Sequence, residues 1–306
     1  MQMTGFPTPL AAPLDLWQAV GEKRKGAPMA EHDADSLTDA VIDRLAGKKD
    51  GRHAEIMAAT VKHLHALVKD IRLQPDEWAC LIDFLTATGK ISGDKRQEFI
   101  LLSDILGVSM LMEILNQPPL DKVTDATILG PFHRENTTEF AFGQSIARHL
   151  APDTVMSGRV TDQRGTAIGG AKIEVWQAGP DGHYDVQKST AEDLRGTFST
   201  TETGHYEFRT VLPQSYPIPT DGPVGDLLAA SGGHPYRPAH IHFKITTEGF
   251  HPLTTHLFVA GDEFIGSDAV FAVRSSLIVD FRRGEDGLYH GAFDFVLAPA
   301  RVREIR

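Results

Sequence analysis

His240-Ile241-His242 follows Arg237-Pro238 closely, and the same chain carries Tyr184 and Tyr216, so two imidazoles and two phenols are available as metal ligands. That set of donors points to iron(III). A phenolate is a hard anionic oxygen donor and imidazole suits iron, whereas zinc is usually held by Cys, His and carboxylate. A phenol with an ordinary pKa of about 10 ionises near neutrality only when a strong Lewis acid offsets its charge, as a trivalent ion does. In a strand, residues i and i+2 leave the same face with Cα atoms roughly 6.6 Å apart, so two imidazoles at this spacing can converge on one ion.

On residue types alone the pair fits a metal site and a chance spacing alike, because the chain has 14 histidines. Its setting is more informative. Ala239-His240-Ile241-His242-Phe243-Lys244-Ile245 alternates polar and apolar, which places both histidines on the face opposite Ile241 and Phe243 of a strand.

Positioning such a site requires a sizeable core, and 306 residues at 41% hydrophobic content supply one, as one large or two moderate domains. A formal net charge of -11 disfavours binding to phosphate backbones, so no nucleic-acid partner is expected. The lone cysteine, Cys80, excludes an intrachain disulfide framework, fits a reducing compartment and is expected in the interior. The first residues carry no positive charge before Lys23 and no sustained apolar stretch, so neither a signal peptide nor a transmembrane helix is indicated and a cytoplasmic location is expected.

Two textures divide the chain. From Asp33 to Asn116 the apolar spacing is helical. One helix is expected to start at Pro75 with Asp76-Glu77, to continue through Trp78–Thr88 and to stop at Gly89, and another to run from Lys95 to Asn116 and end at Pro118-Pro119. After Thr124, short β-rich runs alternate with Gly and Pro turns. Strands are expected over Thr154–Val160, Ala171–Gln177, His205–Thr210, Ala239–Thr246, Leu253–Ala260, Leu277–Phe281 and Gly291–Val296, with turns at Asp162–Gly165 and Thr203–Tyr206. The expected architecture is mainly β, a sandwich over 126–306 preceded by a helical domain over 1–125.

Gly158-Arg159-Val160-Thr161-Asp162, Gly170–Trp176 and Thr203–Phe208 resemble prealbumin-like β-sandwich modules, many of which bind without catalysing, so the fold alone does not establish an enzyme. Further motifs do bear on catalysis. Gly182-His183-Tyr184, Ser215-Tyr216-Pro217-Ile218-Pro219 with Asp221-Gly222-Pro223, Arg237-Pro238-Ala239-His240-Ile241-His242, the helical Arg96–Asp104 segment and Ile128-Leu129-Gly130-Pro131-Phe132 together resemble the intradiol ring-cleavage dioxygenases over most of the chain.

That resemblance implies a non-haem Fe(III), one per subunit, held by Tyr184, Tyr216, His240 and His242. It implies that a catecholic substrate chelates iron as a dianion, Tyr216 and a bound hydroxide taking its protons while Tyr184 stays bound, and that O2 insertion gives a cis,cis-muconate-type diacid. Arg237 is close enough to face the same pocket and steady developing negative charge, against the alternative of a surface salt bridge. His256 stands where catechol-cleaving relatives tend to carry glutamine, and either side chain can hydrogen-bond near an oxygen site. Alignment with the family places Leu101 and Asp104 toward the substrate and makes Ile128 to Phe132, Ile218, Pro219 and Val270 its walls. A carboxylate in an aromatic pocket is costly without a hydrogen-bond donor, and a third ring hydroxyl is a suitable one; the other reading of Asp104 is a local cap or pair on its own helix. Together with Tyr216–Gly225, this favours the hydroxyquinol 1,2-dioxygenase branch over catechol cleavage, with maleylacetate as product. The resemblance further implies a homodimer through the N-terminal helices, in a family that often holds phospholipid at that interface; by sequence the apolar faces of Leu37–Leu45 and Ile56–Ile71 fit closure of an intramolecular bundle equally.

Overall fold

The computed structural model describes residues 32–47, 51–93, 96–118, 121–188 and 191–300. Its chain divides into two units, Met1–Phe84 and Leu85–Arg306. In the first, α1 (Ser36–Leu45) and α2 (Arg52–Ile71) are tied by the Thr38 hydroxyl against His65 Nδ1 at 3.0 Å and by Lys69 to Asp35 at 3.1 Å. Helix α2 closes on Arg72 in the left-handed region, with the Leu73 N–H turned back to the Val68 carbonyl.

Helix α3 (Pro75–Ile91) starts as expected, Glu77 accepting from the Gln74 N–H at 2.8 Å. It does not stop at Gly89, which lies within the helix with a Cβ position 3.7 Å from the Phe99 ring. Cys80 is exposed on α3 rather than interior, because which face of a helix is covered depends on its neighbours and not on residue type. The helix expected over Lys95–Asn116 is two helices, α4 (Glu98–Ile105) and α5 (Val108–Asn116), broken where Gly107 turns to φ 69. Lys95, Pro119 and the N-terminal segment 1–31 lie outside the described residues.

The β-region begins with β1 (Thr154–Asp162), β2 (Lys172–Trp176), a four-residue α6 (Asp185–Lys188), β3 (Arg195–Ser199) and β4 (His205–Thr210). It continues through β5 (Tyr216–Pro217), α7 (Pro223–Ala230), β6 (Tyr236–Arg237), β7 (His240–Thr246), β8 (Leu253–Val259), β9 (Ile278–Val279), β10 (Arg282–Arg283), β11 (Tyr289–Ala292) and β12 (Phe295–Leu297). One sheet is ordered β10-β11-β1-β12 with β4 also on β1, and the other is ordered β3-β2-β7-β8-β9. Strand β1 changes partner along its length, pairing β11 from Thr154 and β12 from Val160. That switch explains why the single strand expected over Gly291–Val296 is divided. The strand expected over Leu277–Phe281 is cut to two residues after a 3-10 turn at Ser275–Leu277. Strand β3 and the two-residue pair β5–β6 have no counterpart among the expected strands.

Phe243 packs against Tyr206, Phe208 and Phe295, with ring centroids 6.2, 6.0 and 5.0 Å away, so the inner faces of the two sheets form a β-sandwich core. Ile173, Val175, Ile241, Ile245 and Leu257 belong to the same buried cluster. Alternation along the strands therefore sends Trp176, His240, His242 and His256 to the outer face of the second sheet, away from that core.

Candidate metal centre

On this outer face, register makes neighbours of residues that are distant in sequence. Trp176 on β2 pairs with His242 on β7, which pairs with His256 on β8. The Trp176 ring stacks on His242 at 4.7 Å, and His256 closes the row from the other side at 4.2 Å. Tyr184 arrives at the start of α6 and Tyr216 on β5, both buried.

Four donor atoms meet there. Tyr184 Oη lies 2.9 Å from Tyr216 Oη, 2.8 Å from His242 Nε2 and 3.5 Å from His240 Nε2, while the two Nε2 atoms are 3.2 Å apart. Donors each roughly 2.0–2.1 Å from a shared ion stand about 3 Å from one another, so these spacings are those of a coordination shell. His240 Nδ1 is 2.7 Å from the Pro238 carbonyl, which can only accept; the proton is therefore on Nδ1 and the Nε2 lone pair faces the other donors. Burial above all pulls His240 and His242 well below the ordinary histidine range, which leaves neutral imidazoles suited to ligation. Burial likewise pushes both tyrosine phenols up, further for Tyr184 than for Tyr216, whose shift Arg237 opposes. Only a strongly acidic ion would make phenolates here, so the donor set fits a metal that brings its own positive charge.

Arg237 is buried, with Nη1 3.3 Å from His240 Nε2, and it forms an interior ion pair with Asp268 at 3.2 Å rather than a surface one. Burial works against the guanidinium charge, while Asp268 first and then the two tyrosine oxygens favour it, with a net upward shift. The Asp268 carboxylate also accepts from the Val270 and Ala272 N–H groups at 3.3 and 3.0 Å, which ties Arg237 to the loop that carries Val270. His256 belongs to the histidine cluster, its nitrogen within 4.8 Å of those of His240 and His242.

The segment before β1 crosses this face. A Cβ on Gly130 would stand 3.3 Å from His242 Cε1, and the Phe132 ring stacks on Tyr184 at 4.5 Å. Ile128 is buried, while Leu129 and Pro131 are exposed. Ile218 and Val270 are buried in the main apolar cluster, Leu101 packs against it, and Pro219 is half-buried. Asp104 is buried on α4, within electrostatic reach of Arg237 and Asp268. Burial pushes its carboxyl up, and the Ser109 hydroxyl and Arg237 pull the other way. Helix α4 is pinned to the Tyr216 loop by Arg96, which bridges Glu98 at 2.8 Å and Asp221 at 2.9 Å, and by Glu98 accepting from the Val224 N–H at 3.2 Å.

Sequence reasoning missed the residues that brace the donors. Asp268 supports Arg237, Trp176 stacks on His242, and Arg195 forms a fully buried pair with Asp185, the residue after Tyr184. Arg195 also donates to the Phe132 carbonyl at 3.1 Å. No local signal marked these pairs beforehand: Asp185 and Arg195 stand in a mainly polar stretch, and Arg237 and Asp268 lie 31 residues apart.

The sequence profile described as "Dioxygenase" matches residues 128–299, and the one described as "Catechol dioxygenase N terminus" matches residues 50–123. The 6-chlorohydroxyquinol 1,2-dioxygenase of Cupriavidus pinatubonensis is 49% identical over 89% of this chain and 99% of its own. The hydroxyquinol 1,2-dioxygenase of a Rhizobium species is 45% identical over 85% of this chain and 94% of its own. The solved structure of hydroxyquinol 1,2-dioxygenase from Pseudomonas putida DLL-E4 superposes with a TM-score of 0.82 at 37% identity, covering 87% of this chain and 99% of that one. With this fold, a metal-ready cluster of tyrosine and histidine, and relatives matched over nearly their full length, the chain belongs to the intradiol ring-cleavage dioxygenases.

Proposed function

We propose that this enzyme opens the ring of hydroxyquinol (benzene-1,2,4-triol) between its adjacent hydroxyls, adding both atoms of O2 to give maleylacetate by way of its enol, 3-hydroxy-cis,cis-muconate. The observation that carries the reading is the convergence of two phenol oxygens and two imidazole nitrogens within 2.8–3.5 Å on a buried sheet face. The cofactor is one Fe(III) per subunit, held by Tyr184, Tyr216, His240 and His242. Bound there, it supplies the Lewis acidity that accepts a substrate dianion and opens the aromatic ring to O2.

The chain's own residues do the remaining work. Tyr216, on a strand of only two residues, takes a substrate hydroxyl proton at its phenol oxygen. Tyr184 stays in place, walled by Phe132 and backed by the Asp185–Arg195 pair. Arg237 presents a fixed cation to the negative charge that develops on substrate and O2, and His256 offers a ring nitrogen to an oxygen atom in the same space. Leu101, Ile128 to Phe132, Ile218, Pro219 and Val270 shape the pocket, with the Gly130 backbone close against His242.

Asp104 distinguishes the triol from catechol. On this reading its buried carboxyl accepts from the third ring hydroxyl, a partner that catechol lacks; its burial, and the hydroxyquinol activity in the names of the relatives above, support the assignment. Measuring kcat/KM for hydroxyquinol and catechol in the wild type and in Asp104→Ala tests this. The wild type is expected to prefer hydroxyquinol, and the substitution to cut that preference by about 10–100-fold, the range for an unmade buried hydrogen bond. A wild type that prefers catechol would make the enzyme a catechol 1,2-dioxygenase forming cis,cis-muconate. A colourless protein that takes up no iron would instead favour a non-catalytic sandwich, since tyrosinate-to-iron charge transfer colours such a site wine-red.

The same reading assigns residues 126–306 to catalysis and 1–125 to dimerisation, with two copies joined through their N-terminal helices and phospholipid at the interface. Exposed Leu64, Leu67, Val68 and Ile71 on α2 support that assignment. Among the described residues no helix is long and apolar enough to cross a membrane, and the enzyme is assigned to the cytoplasm.

A further inference from the structure

His240 and His256 project from the same sheet face with rings 4.8 Å apart, yet their Nδ1 atoms meet opposite kinds of partner. His240 Nδ1 faces the Pro238 carbonyl, an acceptor that forces the proton onto Nδ1 and leaves Nε2 as a lone pair for an ion. His256 Nδ1 faces the hydroxyl of Thr127, which can donate. Thr127 is fully buried, and its hydroxyl has no second partner among the described residues. His256 is fully buried as well, and its Nε2 has no hydrogen-bond partner among the described residues.

Counting hydrogens separates the two possible arrangements. If His256 carried its proton on Nδ1 and gave it to Thr127, the buried hydroxyl proton would have no acceptor and the Nε2 lone pair no donor, leaving two groups unmatched. If Thr127 donates to Nδ1, the hydroxyl is satisfied and the one unmatched group is an Nε2–H. An unmatched buried polar group is costly, so the second arrangement, with one such group instead of two, is the stable one. Its Nε2–H is then completed when an oxygen atom of the reactants enters the cluster.

We infer that Thr127 is a positioning residue which sets the tautomer of His256, making it a hydrogen-bond donor toward an oxygen of O2 or substrate rather than a third imidazole ligand. The Thr127 backbone is held independently, its N–H donating to the Thr254 carbonyl on β8 at 2.9 Å, so the hydroxyl can be removed without releasing the segment. The inference rests on the metal-centred reading of the cluster, and it adds a residue from outside every motif that marks the site.

Two measurements test it. In the full chain loaded with gallium(III), a diamagnetic ion of the same charge as iron(III), imidazole 15N shifts report each tautomer, and His256 is assigned by its absence in His256→Gln. An Nε2–H at His256 that is lost or mixed in Thr127→Val is the expected result; an Nδ1–H in the wild type overturns the inference. In the iron enzyme, Thr127→Val is expected to lower kcat/KM by about tenfold in the wild-type background, the value of roughly one hydrogen bond. Thr127→Ser, which keeps the hydroxyl, is expected to stay within about twofold of the wild type. In a His256→Gln background, where the amide N–H needs no tautomer, Thr127→Val should change kcat/KM by less than about twofold. Losses of equal size in both backgrounds would mean that Thr127 acts structurally, and would also overturn the inference. A chain that cleaves no catecholic ring yet shows the Nε2–H in its gallium form would leave the tautomer standing and defeat the proposed function instead.

Discussion

His240 and His242 stand on a seven-residue strand bonded on both sides, by β2 and by β8, whereas Tyr184 precedes a four-residue helix and Tyr216 begins a two-residue strand. The histidine half of the centre is placed by ladder register. The tyrosine half has little ladder to rely on, and buried ion pairs take over: Asp185–Arg195 directly behind Tyr184, and Arg237–Asp268 on the strand paired with Tyr216. A regular strand fixes a donor through many weak repeated bonds. An irregular segment needs a few strong interactions whose loss is not shared among neighbours.

The largest expected effect falls on the histidine side. If His242 is a ligand as proposed, His242→Ala removes it without disturbing the strand, so metal affinity should fall by at least about 100-fold and the purified variant should carry little metal, while the far-UV circular dichroism is kept. Elemental analysis of the purified variant measures this, and full metal occupancy would disconnect His242 from the centre.

On the tyrosine side the expected loss is of stability as well as of the site. Arg195→Met leaves Asp185 as an unpaired buried charge and should cost about 3–5 kcal/mol in denaturant unfolding. The double variant Arg195→Met/Asp185→Leu should recover most of that loss, because it removes the stranded charge. A single variant as stable as the wild type would show that Tyr184 needs no such brace.

Asp268→Asn is milder. The amide oxygen can still accept from one of Val270 and Ala272, whose N–H groups meet different carboxylate oxygens, but Arg237 loses its counter-charge, and kcat should drop about tenfold with KM changed much less. A change confined to KM would place Asp268 in binding alone.

The smallest effect is on pH dependence. Burial first, then neighbouring positive charge, holds His240, His242 and His256 well below their ordinary 6.5. The unfolded chain therefore binds protons that the folded one refuses, and the stability of the ion-free protein is intact above 6.5 and lost as pH falls below it. Its Tm should drop by at least about 2–4 °C between roughly pH 7.5 and 5.5. A flat profile would mean that these rings are solvated in solution.

Legibility in the sequence followed the range of the interactions. The alternation in Ala239–Ile245 marked β7 and the face of its histidines, because strand periodicity is local. The apolar spacing continues across Gly107, so nothing local marks the break between α4 and α5, and Gly89 resembles a stop although its neighbours continue the helix. The divided strand over 289–297 depends on which stretch of β1 lies alongside, a fact carried by residues more than 120 positions away. Asp268 lies 31 residues from Arg237, and Thr127 lies 129 from His256, so neither belongs to the motif it supports.

By itself the sequence determined which atoms could hold an ion and what kind of ion they suit, because donor chemistry belongs to residue types and their spacing on one strand is local. The tertiary structure decided which three of the 14 histidines cluster in the interior, which nitrogen of His240 faces the other donors, and which charges hold the tyrosines. Those properties come from desolvation and from hydrogen-bond partners across strands, and both exist only once the second sheet has its outer face covered.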